Sequence, residues 1–266
     1  MNSRWLAATG CLVGALALGV GACGGDDDDG GGGGGESGGK TLTVYSSLPL
    51  QGASRPQTTA MVNGIKLALE QVGGKAGDIT VNYQSLDDST AQAGSWTPEA
   101  VSANARKAAQ DDTTAVYIGE FNSGGSAVSI PILNEAGVPQ ISPANTSTEF
   151  DTYDDKGLYF RTAPSDVLQG NVLGNLVLQD GAKSIAILAR QESYGEALAN
   201  NTEKTIKDQG GNVAAKVLYS VDATSYTSEV QKIKDAKPDA IVLISFNEAT
   251  KIIPEFESAG IGPQDV

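Results

Sequence analysis

Two polar turns, separated by one helical segment, constrain the fold of this 266-residue chain more than any other feature. Residues 116–119 and 139–142 have the apolar pattern of short strands, and residues 127–136 between them have that of a helix. Hydroxyl and amide side chains crowd the turns that follow the two strands, at 120–126 and 143–148. In a parallel sheet both turns would open at one carboxyl edge, where open α/β sheets bind ligands. Because the first turn also leads into a helix N-terminus, which favours anions, the pattern predicts a site for a small polar ligand.

Strand-like and helix-like segments alternate along the rest of the chain. The predicted strands are 41–47, 79–86, 114–119, 139–142, 158–161, 184–189, 213–218 and 240–245. The predicted helices are 60–72, 97–110, 127–136, 166–179, 194–209, 226–236 and 248–259. This alternation predicts an α/β fold in which parallel sheets are flanked by helices. The pattern pauses at 148–165 and then restarts, which predicts an N-terminal lobe (40–160) and a C-terminal lobe (161–266) with a site between them.

The first 39 residues have the composition of an export signal followed by a flexible tether. Residues 1–22 contain Arg4 and an apolar stretch too short for a comfortable membrane span, which is typical of an export signal. The small residues before Cys23 resemble a bacterial lipobox and predict cleavage and lipidation at that cysteine. An ordinary signal peptide with an incidental cysteine, or an uncleaved anchor, remains the alternative. Residues 23–39 are rich in Gly and Asp, and they predict a flexible tether.

Charge and composition argue against several classes of function. The formal net charge is −14 without a Lys/Arg stripe, which argues against nucleic acid and anionic lipid as partners. The chain has no histidine, and its other cysteine, Cys11, lies in the export signal, so we expect no metal site, no cofactor and no enzyme. Asp87 and Asp88 are adjacent on a strand and point to opposite faces, so they are predicted to cap a loop rather than to form an acid–base pair.

Five groups of residues together resemble one known family. They are 118–119 with 122–124, 131–139, 141–146, 160–166 with 169–170, and 194–195. The family is that of extracellular solute-binding proteins of the leucine/isoleucine/valine-binding type, also called type I periplasmic binding proteins, and the resemblance covers about residues 41–266. It implies a two-lobed fold that holds an amino acid or a similar solute between the lobes and delivers it to an ABC permease. It also implies a monomer that is lipid-anchored at the extracytoplasmic face of a bacterial membrane.

The resemblance assigns roles to five positions. Ser123 matches a hydroxyl that contacts the ligand carboxylate, Ala144 a backbone contact, and Thr146 a hydroxyl contact to the polar head of the ligand. Tyr194 matches an aromatic residue of the second lobe that closes over the ligand, and Phe246 falls near a second aromatic position. Alternatively, Ser123 and Thr146 are ordinary turn and cap residues, and Tyr194 packs at the start of a helix.

The chain also departs from the family pattern. Arg55 lies where the family usually has small residues, and it is either a bidentate donor to a ligand carboxylate or a surface charge. The second lobe has residues 190–192 (Arg-Gln-Glu) where an Asp is common, which leaves a different class of ligand open. The family's acidic residue for the ligand ammonium would lie beyond Val266. The chain stops where a next strand is expected, so we expect it to be a fragment with an incomplete second lobe.

Three hypotheses of function follow. The first is a lipid-anchored substrate-binding protein of an ABC importer. The second is an extracellular sensing module of a membrane receptor with the same fold. The third is a hydrolase or lyase on this architecture, since fold alone does not fix function, but the missing histidine and thiol argue against it.

Overall fold

The computed structural model describes residues 40–265. The predicted export signal, Cys23 and the tether lie outside the described residues, as does Val266. Within 40–265, no helix is both long enough and apolar enough to cross a membrane.

The first sheet has six strands in the order β2-β3-β1-β4-β5-β6. They are β1 (Thr41–Leu48), β2 (Lys75–Ala76), β3 (Ile79–Asp87), β4 (Thr114–Ile118), β5 (Gln140–Ser142) and β6 (Tyr159–Arg161). Neighbouring strands are parallel, except that β2 pairs antiparallel with β3. The predicted parallel pairing is confirmed for the five predicted strands of this sheet. The short strand β2 is not among the predicted strands, and it is antiparallel because its connection to β3 is too short for a crossover and forms a hairpin.

Three helices accompany the first sheet and, with it, form what we call the first lobe. They are α1 (Arg55–Gln71), α2 (Pro98–Ala109) and α3 (Ser123–Ala136). Tyr45 and Tyr117 of the sheet pack with Leu133 of α3 and with small residues of α2 in one buried cluster. The hydroxyl of Thr97 accepts a hydrogen bond from the backbone N–H of Ala100, which confirms the predicted start of α2.

The second sheet has three parallel strands in the order β8-β7-β9. They are β7 (Ser184–Arg190), β8 (Asn212–Tyr219) and β9 (Ala240–Ile244), and the second lobe is completed by α4 (Asp166–Gln179), α5 (Ser193–Asp208), α6 (Thr227–Asp235) and α7 (Ala249–Ala259). Ile185 and Ile187 of β7 pack into one core, and Ala186 and Leu188 pack into another. The central strand is thus buried on both faces, which is why its sequence is an uninterrupted apolar run.

A short connection leads from one lobe to the other. A single 3₁₀ turn, Thr148–Asp151, precedes β6, and β6 pairs with β5 of the first sheet. The predicted boundary between residues 160 and 161 falls inside β6, and the division of the chain at that point stays a prediction.

Two helices begin earlier than the sequence predicts. The first, α1, starts at Arg55, because Pro56 has the fixed φ that suits a first helical turn. The other, α3, starts at Ser123, so its first turn consists of Ser123 and the two glycines that follow. This earlier start places Ser123 on the helix N-terminus instead of in a loop.

Candidate functional site

The first wall of the cleft between the lobes is the N-terminus of α3. Asn122 occupies the N-cap with extended backbone, and its side chain does not cap the helix. Ser123 is buried, and its Oγ accepts a hydrogen bond of 3.4 Å from the backbone N–H of Ser147. The first turn therefore presents the partial positive charge of a helix N-terminus, together with a fixed hydroxyl, to the cleft.

The second polar turn is tied to the first by buried hydrogen bonds. The Ser142 hydroxyl donates to the Glu120 carbonyl at 2.7 Å and accepts from the backbone N–H of Asn145 at 2.9 Å. The side-chain amide of Asn145 donates to the carbonyls of Glu120 and Phe121 at 3.2 and 3.1 Å. Buried bonds of this kind fix geometry, so the two turns form one rigid wall.

The opposite wall belongs to the second lobe and is aromatic. The rings of Tyr194 and Phe246 are stacked, with centroids 5.3 Å apart and planes inclined by 3°. The Arg190 guanidinium lies 3.9 Å from the centroid of the Phe246 ring, within the range of a cation–π contact. Flat, partly buried rings of this kind suit an apolar or planar part of a small solute.

A cavity of about 410 Å³ lies between these two walls. All of its lining side chains are uncharged, and four of them are amides, which are Gln57, Asn122, Gln169 and Asn247. Uncharged donors and acceptors around a helix N-terminus suit a small polar solute that itself carries charge.

Asp166 is the buried acidic group next to this cavity. It is the first residue of α4, and its backbone N–H donates to the Thr146 carbonyl at 2.7 Å. Neither carboxylate oxygen of Asp166 has a hydrogen-bond partner among the described residues. Burial raises the pKa of Asp166 to about 6, although Thr146 and Arg161 act in the opposite direction, and its charge in turn helps to raise the pKa of Tyr194. Asp166 is fully buried and is not among the side chains that line the cavity, but it adjoins the lining residue Thr146.

Two further carboxyl groups lie behind the first wall. Asp88 and Glu120 are both buried, and Oε1 of Glu120 accepts a hydrogen bond of 2.7 Å from the Tyr117 hydroxyl. Burial raises the pKa of Glu120 well above its usual range, and the adjacent Asp88 adds to the increase. Burial also raises the pKa of Asp88 to about 6. Asp87 instead accepts hydrogen bonds from the backbone N–H groups of Leu50 and Ser89, so it holds a loop as the sequence predicts.

The model of one protein family, described as periplasmic binding protein, matches residues 43–266 of the chain. The chain belongs to the periplasmic binding protein family. The match spans both sheets and therefore includes every element that lines the cleft.

Curated relatives of this periplasmic binding protein share about a quarter of their residues with it. The leucine-, isoleucine-, valine-, threonine- and alanine-binding protein of Pseudomonas aeruginosa is 28% identical over 239 residues, which are 85% of this chain and 61% of the relative. A Leu/Ile/Val-binding protein homologue of Brucella suis is 25% identical over 221 residues, or 82% of this chain and 57% of the relative. The chain thus spans about three fifths of the length of these two relatives.

Solved structures confirm the predicted fold, a two-domain α/β arrangement of parallel sheets flanked by helices. A solute-binding protein of an ABC transporter from Rhodopseudomonas palustris, in complex with 4-hydroxybenzoate, has a TM-score of 0.75 at 20% identity and covers 85% of this chain and 60% of that one. A leucine-binding protein from Thermotoga maritima has a TM-score of 0.74 at 21% identity and covers 83% of this chain and 61% of that one.

The cleft of this periplasmic binding protein brings together most of the predicted site residues. Its lining includes Ser123, Ala144, Thr146, Tyr194 and Phe246. Their contacts with a ligand stay predictions.

Arg55 does not join this group. It is exposed at the first position of α1, and the adjacent residues Ser54 and Gln57 line the cavity instead.

Sequence reasoning missed the polar groups that the second lobe contributes. Asp166 and Gln169 are three residues apart on α4 and share one face of the helix, a spacing that the sequence does show. Asn247 follows β9 in a loop, and nothing in the local pattern distinguishes it from other loop amides.

Proposed function

We propose that this protein is the extracytoplasmic substrate-binding component of an ABC importer, lipid-anchored through Cys23. It binds an amino acid, or a similar small polar solute, between its two lobes and delivers it to a permease. The observation that carries the proposal is the cavity of about 410 Å³ between a polar helix N-terminus and a pair of stacked aromatic rings.

The carboxylate of the solute is assigned to the first lobe. The N-terminus of α3 favours a negative charge, and the Ser123 and Thr146 hydroxyls are available as donors beside it. Since the hydrogen bonds of Ser142 and Asn145 fix both turns, these donors are preorganised for one position of the carboxylate.

The ammonium of the solute is assigned to Asp166, which does not line the cavity itself and which the ammonium would approach beside Thr146. An ammonium close to this carboxylate would favour its ionised form and would compensate for the cost of its burial. The relative from P. aeruginosa is named for binding five amino acids, whereas the R. palustris structure contains 4-hydroxybenzoate, which has no ammonium. Asp166 therefore favours an amino acid over an aromatic acid as the solute of this protein.

A thermal-unfolding panel with the purified protein tests the proposal. The probes are L-leucine, L-valine, L-alanine, 4-hydroxybenzoate, a purine and a sugar. A solute present at a hundred times its dissociation constant should add about 2.7 kcal/mol to the free energy of unfolding. We expect an increase with at least one amino acid and a smaller one, or none, with 4-hydroxybenzoate. If no probe stabilises the protein, the assignment of the solute is wrong.

Hydroxyl deletions test the site itself. Ser123→Ala and Thr146→Val should each weaken binding of the stabilising probe by about 10- to 100-fold, because each removes a hydrogen bond to a charged group. Ser258→Ala is the matched control, since that hydroxyl bonds only the Pro254 carbonyl within α7 and should leave the affinity unchanged. Full binding by the Ser123→Ala/Thr146→Val double variant would show that both are ordinary turn residues.

A further inference from the structure

A second cavity adjoins the one between the two walls. Its volume is about 640 Å³, and we call it the outer compartment, and the cavity of about 410 Å³ the inner compartment. The two compartments share five lining residues, which are Ala53, Ser54, Asn122, Phe246 and Asn247. The two compartments therefore adjoin along these residues, and together they have more room than a single amino acid requires.

Three side chains of the second lobe meet where the compartments join. Tyr194 lines the inner compartment, Arg190 lines the outer one, and Phe246 lines both. Because the Phe246 ring stacks on Tyr194 and also contacts the Arg190 guanidinium, its position decides how open the passage between the compartments is.

Arg190 is itself held in place. It is 6% exposed, and its Nε forms an ion pair with Oε1 of Glu192 at 2.9 Å, without the geometry of a hydrogen bond. Its Nη1 donates to both carboxylate oxygens of Glu248 at 3.2 and 3.3 Å. A planar guanidinium fixed between two carboxylates is a rigid support for an aromatic ring.

The same two carboxylates also hold the backbone of the aromatic residues. Glu192 accepts hydrogen bonds from the N–H groups of Tyr194 and Gly195 at 3.1 and 2.8 Å, as the N-cap of α5. Glu248 accepts a hydrogen bond from the Phe246 N–H at 2.8 Å. Glu192 and Glu248 thus contact Arg190 and also hold the backbone of Tyr194 and Phe246.

Building on the proposed function, we propose that Arg190 is a positioning residue that holds Phe246 at the junction of the two compartments and so limits the length of the solute. With Phe246 fixed, a solute of the size of one amino acid is enclosed in the inner compartment. With Phe246 released, the two compartments merge and a longer solute gains access. Arg190→Lys separates these states, because it keeps a positive charge between Glu192 and Glu248 but loses the planar contact with the ring.

The first test needs no solute. The full chain is labelled with 3-fluorotyrosine, and the ¹⁹F resonance of Tyr194 is assigned by its loss in Tyr194→Phe. Arg190→Lys should shift or broaden this resonance, because the Phe246 ring no longer stacks on Tyr194 in one position. Lys251→Met, which changes a residue of the outer compartment, should leave the resonance unchanged. An unchanged Tyr194 resonance in Arg190→Lys would overturn the proposal, whatever the protein binds.

The second test measures selectivity by calorimetric titration with L-leucine and L-leucyl-glycine. Arg190→Lys should bind L-leucine about 5- to 10-fold more weakly, the range of a partly desolvated cation–π contact, and should bind L-leucyl-glycine more tightly relative to L-leucine than the unmodified protein does. If the unmodified protein binds neither probe, the proposed function has failed and the ¹⁹F resonance alone decides the role of Arg190.

A double-mutant cycle shows whether Arg190 acts through the ring. Phe246→Leu should change the selectivity in the same direction, and Arg190→Lys/Phe246→Leu should be no less selective than Phe246→Leu alone. Additive losses of selectivity, or unchanged selectivity in Arg190→Lys, would contradict the positioning role.

Discussion

Asp88 and Glu120 are neighbouring acidic residues, and both are buried behind the first wall of the cleft. Burial favours the protonated form of each. Asp88 raises the pKa of Glu120 further, whereas the hydrogen bond with Glu120 lowers the pKa of Asp88 and the charge of Asp87 raises it. Glu120 has the more strongly raised pKa and retains the proton, and its backbone carbonyl accepts the hydrogen bonds that fix the second polar turn. Because the same residue carries the buried carboxyl group and anchors the turn, we expect ionisation of the pair to destabilise the first wall.

The pH dependence of stability follows from these raised pKa values. Because the pKa of Asp88 is about 6 in the folded protein against 3.8 ordinarily, its contribution is fully present below about pH 4 and is lost as the pH rises through 6. We expect the free energy of unfolding to fall by about 3 kcal/mol from pH 4 to pH 8 on account of this group. Asp166 acts in the same direction, since its pKa is also raised to about 6. Urea unfolding at a series of pH values measures the decrease.

Two substitutions separate this effect from others. Asp88→Asn should reduce the pH dependence and raise stability at pH 8, because the amide oxygen can still accept a hydrogen bond from protonated Glu120 and the amide carries no charge. Asp111→Asn should instead lower stability at pH 8, since hydrogen bonds from Thr113 and Tyr45 lower the pKa of that carboxylate. A pH dependence in Asp88→Asn as steep as that of the unmodified protein would exclude Asp88 as one of its sources.

At the scale of the elements, the close packing of helix α4 against helix α5 depends on two glycines of α4. A Cβ added at Gly170 would lie 2.6 Å from the Asn201 Cβ and 2.8 Å from the backbone nitrogen of Thr202. A Cβ at Gly174 would lie 2.8 Å from the Thr205 Cβ. Since α4 also supplies Gln169 to the cleft, this close packing sets the position of the second wall.

Gly170→Ala should therefore destabilise the protein. Overpacking against backbone costs about 1–3 kcal/mol, which outweighs the gain in helix propensity. Gly64→Ala on α1 is the matched control, because a Cβ there would meet nothing within 4 Å and should stabilise the protein by up to about 1 kcal/mol. Chemical denaturation of both variants measures the difference, and equal effects would show that α4 and α5 are less tightly packed.

The order and type of most elements follow from local pattern, whereas two helix starts do not. Glycine is a poor helix former, so the sequence predicts a turn at the residues after Ser123. In the structure Gly124 and Gly125 belong to the first turn of α3, where a side chain would be crowded. An added Cβ would lie 2.8 Å from the Trp96 ring at Gly124 and 3.1 Å from the Glu120 Cβ at Gly125. Trp96 is distant in the sequence and Glu120 lies in a turn, so no periodic pattern predicts these contacts. The same holds for the contact of Arg190 with Phe246, which joins the ends of two strands.

For the molecule as a whole, the two lobes meet at a polar cleft and are joined by a short connection. Each lobe has its own buried core, so each can move as a body while the connection absorbs the change. Closure of the lobes over a bound solute is the motion that such an architecture permits.

Small-angle scattering tests this motion. We expect the radius of gyration to decrease when the probe with the largest thermal stabilisation is added, because the solute contacts both walls only when they approach each other. Thr146→Val at the same concentration should show little change, since less solute is bound. Unchanged dimensions of the unmodified protein at saturation would argue against closure.

The hydrogen bonds that tie the two polar turns together also have a consequence for rates of binding. Since Ser142 and Asn145 hold the first wall in one arrangement, that wall needs no reordering when a solute arrives. Capture on the first lobe should then be a fast, second-order step, and closure a slower, first-order step that follows it. In a stopped-flow experiment the observed rate constant would rise linearly at low solute concentration and level off at the rate of closure.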